Sequence, residues 1–383
     1  MDIVVHESVA EIDAAQWNAL VIDNNPFLRH EFLLGLELCH CATQSNGWQG
    51  SHIVIYNNTS RSEILAAMPC YIKTHSYGEY IFDWAWADAH HRHGLEYYPK
   101  LSNAVPFTPA TGERLLISAK HRASPEKLES ALLNKAIELT KTQQLSSFHS
   151  LFLKQDQAQR IEAQGCLLRH STQFHWLNKN YAHFDDFLAL MSSKKRKNIK
   201  RERRRVAESG IRYRWLTGAD LNAQAVELMY SFYARTIRQY GAQSYLNKAF
   251  FTYLVEHFKS HTLFLFADYN EQTIAGGLYF KSDNTLYGRY WGALDNYHSL
   301  HFETCYYQAI EWCIANGYEK FEAGAQGEHK LARGLEPNTT YSAHWIAHAG
   351  FRQAIDDFLV SEQAHIQHYQ NAMHTHSPFK TEL

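Results

Sequence analysis

No stretch of the chain approaches the roughly 18 to 20 apolar residues needed to span a bilayer, and the N-terminus carries early acidic residues with no apolar run of signal-peptide type. A soluble, cytoplasmic protein is the expectation. Cysteine is scarce, six residues in 383, too few to staple a chain of this length, and reduced thiols suit that compartment. Cys39-His40-Cys41 lacks the two-residue spacer of a zinc pair, and neither it nor His90-His91-Arg92-His93 has a matching partner pair, so no metal is expected. Net charge is nearly absent, −2 at pH 7, which removes any chain-wide pull toward nucleic acid or anionic membrane. A G-x-S-x-G elbow, a Walker loop and a dinucleotide fingerprint are all missing. Serine hydrolase, nucleoside triphosphatase and dehydrogenase readings therefore have no motif to rest on.

What is present begins with length and apolar content. At 45% hydrophobic over 383 residues the chain can bury a large core, and two domains suit it better than one. Histidine is abundant, 24 residues, and near an ordinary pKa of about 6.5 many would titrate together, turning the surface positive on mild acidification. A pattern also occurs twice. Residues 64–89 and 274–296 each read as strand, polar turn and second strand ending in Trp then Asp: Trp84 and Trp86 with Asp88, then Trp291 with Asp295. A duplicated α/β unit follows, mixed sheets flanked by helices, with a first domain at 1–175 and a second at 176–383.

Periodicity places the elements. Residues 12–40 read as helix in two pieces broken at Asn25-Pro26, and strands follow near 52–57, 64–73 and 79–86. A long loop over 87–114 carries Tyr98, Lys100 and the Pro106-Phe107-Thr108-Pro109 run, and a connection of that length usually lines a pocket. Ser124-Pro125 opens a helix to about 142; strand 147–153, helix 156–163 and strands 166–170 and 172–177 close the first half. The second half reads as strand 211–216, helices 219–239 and 246–258, strands 261–268, 273–281 and 284–291, helix 299–316, strands 318–322 and 340–346, and helix 350–370. The polar tail from Met373 is expected to fray.

The sharpest charge feature lies between the halves. Nine of the twelve residues from Lys194 to Arg205 are basic, on a helix that Ser192 or Ser193 can cap and Gly210 can end. Ile199 and Val206, seven apart, form a narrow docking stripe, leaving a positive ridge that suits phosphates, with Arg196, Lys197, Lys200 and Arg201 as donor-phosphate candidates. Downstream, a short strand delivers Glu322 at its end, where open α/β sheets place ligands. Gly324 and Gly327 permit sharp turns around Gln326, and His329 and Arg333 share a face, with Lys330 turned elsewhere. Glu303 and Tyr307 share a face of the helix before it, beside Tyr306.

Carboxylates, a histidine and a lysine without a nucleophile motif fit a group transfer that needs only a base and close positioning. A neutral amine attacks an activated acyl carbon, a carboxylate or His accepts its proton, and backbone N–H groups hold the donor carbonyl. Glu322, His329 and Glu303 are the catalytic candidates, Glu322 leading as general base because burial at a strand end raises a carboxylate pKa. A salt bridge from Glu322 to Arg333 or Lys330 is the structural alternative. Substrate-binding candidates are Asp83, Trp84, Trp86, Asp88, Tyr98, Lys100, Arg289, Trp291, Tyr306, Gln326, Lys330 and Arg333.

Asp83-Trp84-Ala85-Trp86-Ala87-Asp88-Ala89, Tyr98-Pro99-Lys100, Ser193-Lys194-Lys195-Arg196-Lys197-Asn198-Ile199, His301-Phe302-Glu303-Thr304-Cys305-Tyr306-Tyr307 and Gly324-Ala325-Gln326-Gly327-Glu328-His329-Lys330 together resemble the FemAB-like group of bacterial N-acyltransferases. The resemblance runs from about Asn25 to Phe358. It implies tandem acetyltransferase-like (GNAT-like) domains and an N-acyltransferase with direct transfer, the first domain toward the acceptor and the basic helix toward the donor. It also implies a small-molecule acyl donor and an amine acceptor, with no bound cofactor and with acyl-CoA or aminoacyl-tRNA as co-substrate. Related Fem enzymes move amino acids from charged tRNA onto peptidoglycan precursors, which makes a tRNA-dependent cell-wall transferase the alternative; a noncatalytic RNA- or precursor-binding protein is another. The Gly292–Phe302 junction departs from the R/Q-x-x-G-x-G/A pyrophosphate loop of acetyl-CoA transferases, so a CoA pyrophosphate would be held differently. A monomer is expected.

Overall fold

The computed structural model describes Met1 to Lys380 apart from Gln326, and its elements fall into two units. One comprises Met1–Thr172 with Thr339–His368, the other Gln173–Asn338 with Tyr369–Leu383. Residues 339–368, expected in the second domain, thus belong to the first unit. The reason is strand pairing: Tyr341–Ile346 lies antiparallel to Ser147–Leu153 and completes that unit's sheet.

The strands in chain order are β1 (Asp2–His6), β2 (Trp48–Gly50), β3 (His52–Tyr56), β4 (Ile64–Met68), β5 (Cys70–Lys73), β6 (Lys100–Asn103), β7 (Leu116–Ile117), β8 (Ser147–Leu153), β9 (Leu167–Leu177), β10 (Arg212–Thr217), β11 (Thr262–Tyr269), β12 (Gln272–Lys281), β13 (Thr285–Ala293), β14 (Lys320–Glu322) and β15 (Glu336–Ile346). In the first unit, β1-β3-β4-β7 form one antiparallel sheet, and β15-β8-β6-β5-β2 lie side by side with β6 and β8 parallel. Helix Glu126–Thr142 buries Leu128, Leu132, Leu133, Ala136 and Leu139 against them. Those positions recur every three or four residues, one face of a helix.

In the second unit the order is β10-β11-β12-β13-β14-β9, antiparallel except for the β13–β14 pair. Its core gathers Trp176, Tyr279, Leu286, Ile310 and Phe321. The mixed α/β class expected from the alternating pattern is the one observed.

Several segments differ from the sequence reading; the expected strand at 64–73 is two strands, β4 and β5, and the expected pair at 166–170 and 172–177 is the single β9. The expected strand at 79–86 is instead irregular through Asp83 and then the start of helix Trp84–Arg92. Alternating Trp and Ala mimics a strand, but only Trp86 and His90, four apart, are buried, and Ala favours the helix. The first copy of the repeated pattern therefore lacks its second strand, whereas the second copy is the hairpin β12–β13. The expected loop over 87–114 holds the end of that helix and all of β6. The C-terminal tail is also held: Lys380 N donates to Leu190 O at 2.9 Å, and Phe379 packs on Phe187 with centroids 6.1 Å apart.

The histidines do not act together either. His149 and His344 are buried side by side in the first unit, Nδ1 to Nδ1 at 2.5 Å, with Ser147 and Ser342 on their outer nitrogens. Burial, with Lys100 and Arg169 nearby, holds both well below the usual imidazole range. They stay neutral where surface histidines titrate.

Candidate active site

In the second unit β13 and β14 run parallel for three residue pairs, Thr285–Tyr287 against Lys320–Glu322. Just beyond, the β12–β13 register shifts between Leu278 and Tyr279, a bulge of the kind that redirects strands near functional sites. A cavity of about 130 Å³ lies there, walled by Arg289 to Trp291, Ala323, His301, Cys305 and Tyr306. Its helical wall contains a π-turn, Glu303–Tyr307. One extra residue in a turn rotates successive side chains apart, and such turns concentrate at functional sites. Cys305 and Tyr306 consequently line this cavity, while Glu303 lines another.

Around the cavity is a cluster of rings. Trp291 and His301 lie 4.9 Å apart, and Tyr306 Oη sits 2.8 Å from His329 Nε2. Gly327 makes this possible: its φ is +118°, and a Cβ there would come within 2.6 Å of the His329 ring. Burial and the neighbouring Arg333 and Lys330 lower the pKa of His329, so the ring is neutral at pH 7 and able to take a proton. His301 falls further, to about 4, from burial and then from His329, Arg333 and Lys330.

Lys330 is buried, and its Nζ donates to the Gly324 carbonyl at 2.8 Å. Burial lowers its pKa to about 8, with cavity-lining Cys305 as its opposing titratable neighbour. Arg333 is anchored differently, stacked 3.3 Å over the Phe302 ring and donating to His329 O and Glu202 Oε1.

The three catalytic candidates do not converge. Glu322 is buried, but on a strand alternate residues face opposite ways; Phe321 packs into the helix-side core and Ala323 lines the cavity, whereas Glu322 stands in register with His175. One Glu322 oxygen takes Lys320 Nζ at 2.6 Å. The structural partner is thus Lys320, with Arg333 and Lys330 engaged elsewhere. Glu303 lies against the basic helix, taking Arg203 Nε at 3.1 Å and Gln308 Nε2 at 2.8 Å. Gln326 lies outside the described residues.

That basic helix, Ser193–Glu208, is docked by more than its apolar stripe. Ile199 and Val206 are buried as the spacing predicts, but Arg203 also turns inward to Glu303 and Glu311, and Glu202 meets Tyr307 and Arg333. Ser192 occupies the cap position without a side-chain bond to the helix. Lys197, Lys200 and Arg201 are exposed and Arg196 is half-buried; Lys200 pairs with Asp185 at 2.9 Å and Arg201 bonds Asn198.

In the first unit the substrate-binding candidates separate into buried and surface groups. Lys100 is 1% exposed and grips Asp83 at 2.5 Å, Glu79 at 2.8 Å and Ser76 at 2.9 Å; Tyr97 adds a bond to Asp83, and Tyr98 one to Ser76. Burial pushes the Asp83 pKa up, but Lys100 overrides it and holds the carboxyl below its usual value. Trp86 is core, edge-on to His344 at 4.9 Å. Trp84 is exposed beside Tyr77, and Asp88 pairs with Arg92 on the surface.

Comparison with solved structures relates the fold to FemX, at 10% identity over 93% of this chain and 100% of that one, TM-score 0.56. A C-terminal domain named as that of a lysylphosphatidylglycerol synthetase from Agrobacterium fabrum aligns over 92% and 97%, at 10% identity and TM-score 0.54. L-PGS from Bacillus licheniformis aligns over 85% and 93%, at 8% identity and TM-score 0.50. No curated protein matches the chain by sequence. The likenesses to solved structures are of fold. The chain belongs to the FemAB-like family, described as peptidoglycan biosynthesis and recognition, whose model matches residues 8–381. Among the described residues no helix is long and apolar enough to cross a membrane.

Proposed function

We propose that the second unit transfers a short acyl group from an activated, acyl-CoA-like donor directly to an amine. The observation that carries this is the neutral His329 held on Tyr306, a wall residue of the cavity that Arg289, Tyr290 and Trp291 of β13 also line. At about 130 Å³ the cavity has room for roughly four waters' share of liquid volume, enough for an acyl end and too little for a whole donor. The acyl carbon sits against Arg289 to Trp291. The attacking amine forms the new C–N bond and loses its proton to His329, and the Lys330 ammonium offers a positive charge to the oxyanion developing on the acyl carbonyl. Collapse of that oxyanion breaks the acyl C–S bond, and the departing thiolate takes the proton back from His329 and leaves as the free thiol. Glu322 holds Lys320 and the strand end rather than the proton.

A donor carried on tRNA is the second reading, favoured by the exposed Lys197, Lys200 and Arg201 on the basic helix. Its acceptor would be a cell-wall precursor, in keeping with the family's description. Incubation of the purified protein with short-chain CoA thioesters or total charged tRNA, each with an amine acceptor, at two salt concentrations tests both. Transfer from the thioester with shallow salt dependence supports the first reading. Transfer confined to tRNA, with log affinity falling by about 0.7 to 0.9 per phosphate contact per log unit of salt, replaces it with the second. Tight binding of either donor without transfer overturns both.

A further inference from the structure

A second and larger cavity, about 620 Å³, lies in the same unit against the basic helix, walled by Phe184, Leu188, Ile211, Arg203, Glu311 and Glu303. Glu303 is 3% exposed there. Its Oε1 takes both available donors, Arg203 Nε and Gln308 Nε2, while Oε2 has no hydrogen-bond partner among the described residues. A buried acceptor left in that state costs free energy that a ligand donor recovers. The lysine and arginine side chains of the walls are already matched: Arg203 by Glu303 and Glu311, Lys200 by Asp185, and Arg204 by Glu208. An anion would therefore meet no unmatched cation, whereas a donor would meet a waiting carboxylate oxygen.

We propose that this cavity binds a primary ammonium group carried on an apolar body, the ammonium on Glu303 Oε2 and the body against Phe184, Leu188 and Ile211. An ammonium makes a stronger bond to a carboxylate than a hydroxyl does, because both partners are charged. Burial raises the Glu303 pKa despite Arg203, so the protein's own cations leave this carboxylate incompletely compensated. The site is separate from the transfer cavity, and its occupancy is read with no acyl donor present, so it stands or falls independently of the transfer reading.

The test is calorimetric titration near neutral pH with phenethylamine, 2-phenylethanol and 3-phenylpropionate. Phenethylamine binds saturably, at least about tenfold tighter than the alcohol, and the carboxylate does not bind. Glu303→Gln weakens the amine about tenfold, and Ala207→Trp, on the exposed wall, blocks it. Equal binding of 3-phenylpropionate, or no saturable binding of the amine, overturns the proposal. Amine affinity unchanged in a folded Glu303→Gln protein does the same; should that variant not fold, unchanged affinity in Ala207→Trp overturns it instead.

Discussion

Two of the buried lysines, Lys100 in the first unit and Lys330 in the second, have opposite surroundings. Lys100 is enclosed by Asp83 and Glu79, which with their hydrogen bonds raise its pKa despite burial. Lys330 has a single carbonyl for company, and burial brings it down to about 8. The first is a structural ion cluster, permanently charged. The second can change protonation near neutrality, the property expected of a group that acts on a substrate. Partner chemistry, more than burial or residue type, separates the two roles.

The largest expected effect breaks the first half of this contrast. Lys100→Met leaves two buried carboxylates uncompensated and should cost about 3 to 5 kcal/mol, a fall in Tm on the order of 10 °C in thermal melts. Lys330→Met removes a cation that has no acid partner, so its Tm should not fall, while transfer drops about 10²- to 10³-fold. Equal loss of stability in the two variants would erase the distinction.

Acid unfolding sharpens the comparison from another side. The folded pKa values of His149 and His344 lie below the ordinary unfolded value of about 6.5. The unfolded chain therefore binds more protons below that pH, and the stability held above it is lost as pH falls. Each neutral histidine should cost about 1.4 kcal/mol per pH unit below 6.5, read as a falling urea midpoint. His149→Phe with His344→Phe should flatten that slope. The smallest effect belongs to Glu322→Gln: as a partner of Lys320 it should shift stability by about 1 kcal/mol, with the shape of the kcat/KM pH profile unchanged.

Much of the second unit was legible in the sequence. The β12–β13 hairpin and the basic helix with its Ile199 and Val206 stripe follow from local periodicity and spacing. Pairings across the chain did not. His149 meets His344 only because β8 and β15 pair across 195 residues, and no local pattern encodes that register. Glu322 looked like a base at a strand end, but which sheet face it takes depends on β9 and β14 aligning it with His175. That Glu303 and Tyr306 line different cavities was not legible either, because the π-turn at Glu303–Tyr307 is invisible to regular helical spacing.

The central claim is that His329, held neutral on Tyr306, accepts the proton of the attacking amine. The most direct measurement is the pH dependence of kcat/KM for transfer in the wild type, His329→Gln and Glu322→Gln. His329→Gln should lower the rate about 10²- to 10⁴-fold and abolish the acidic limb, with Glu322→Gln keeping that limb. A limb that survives His329→Gln and disappears in Glu322→Gln would contradict the account and return the base to the strand end.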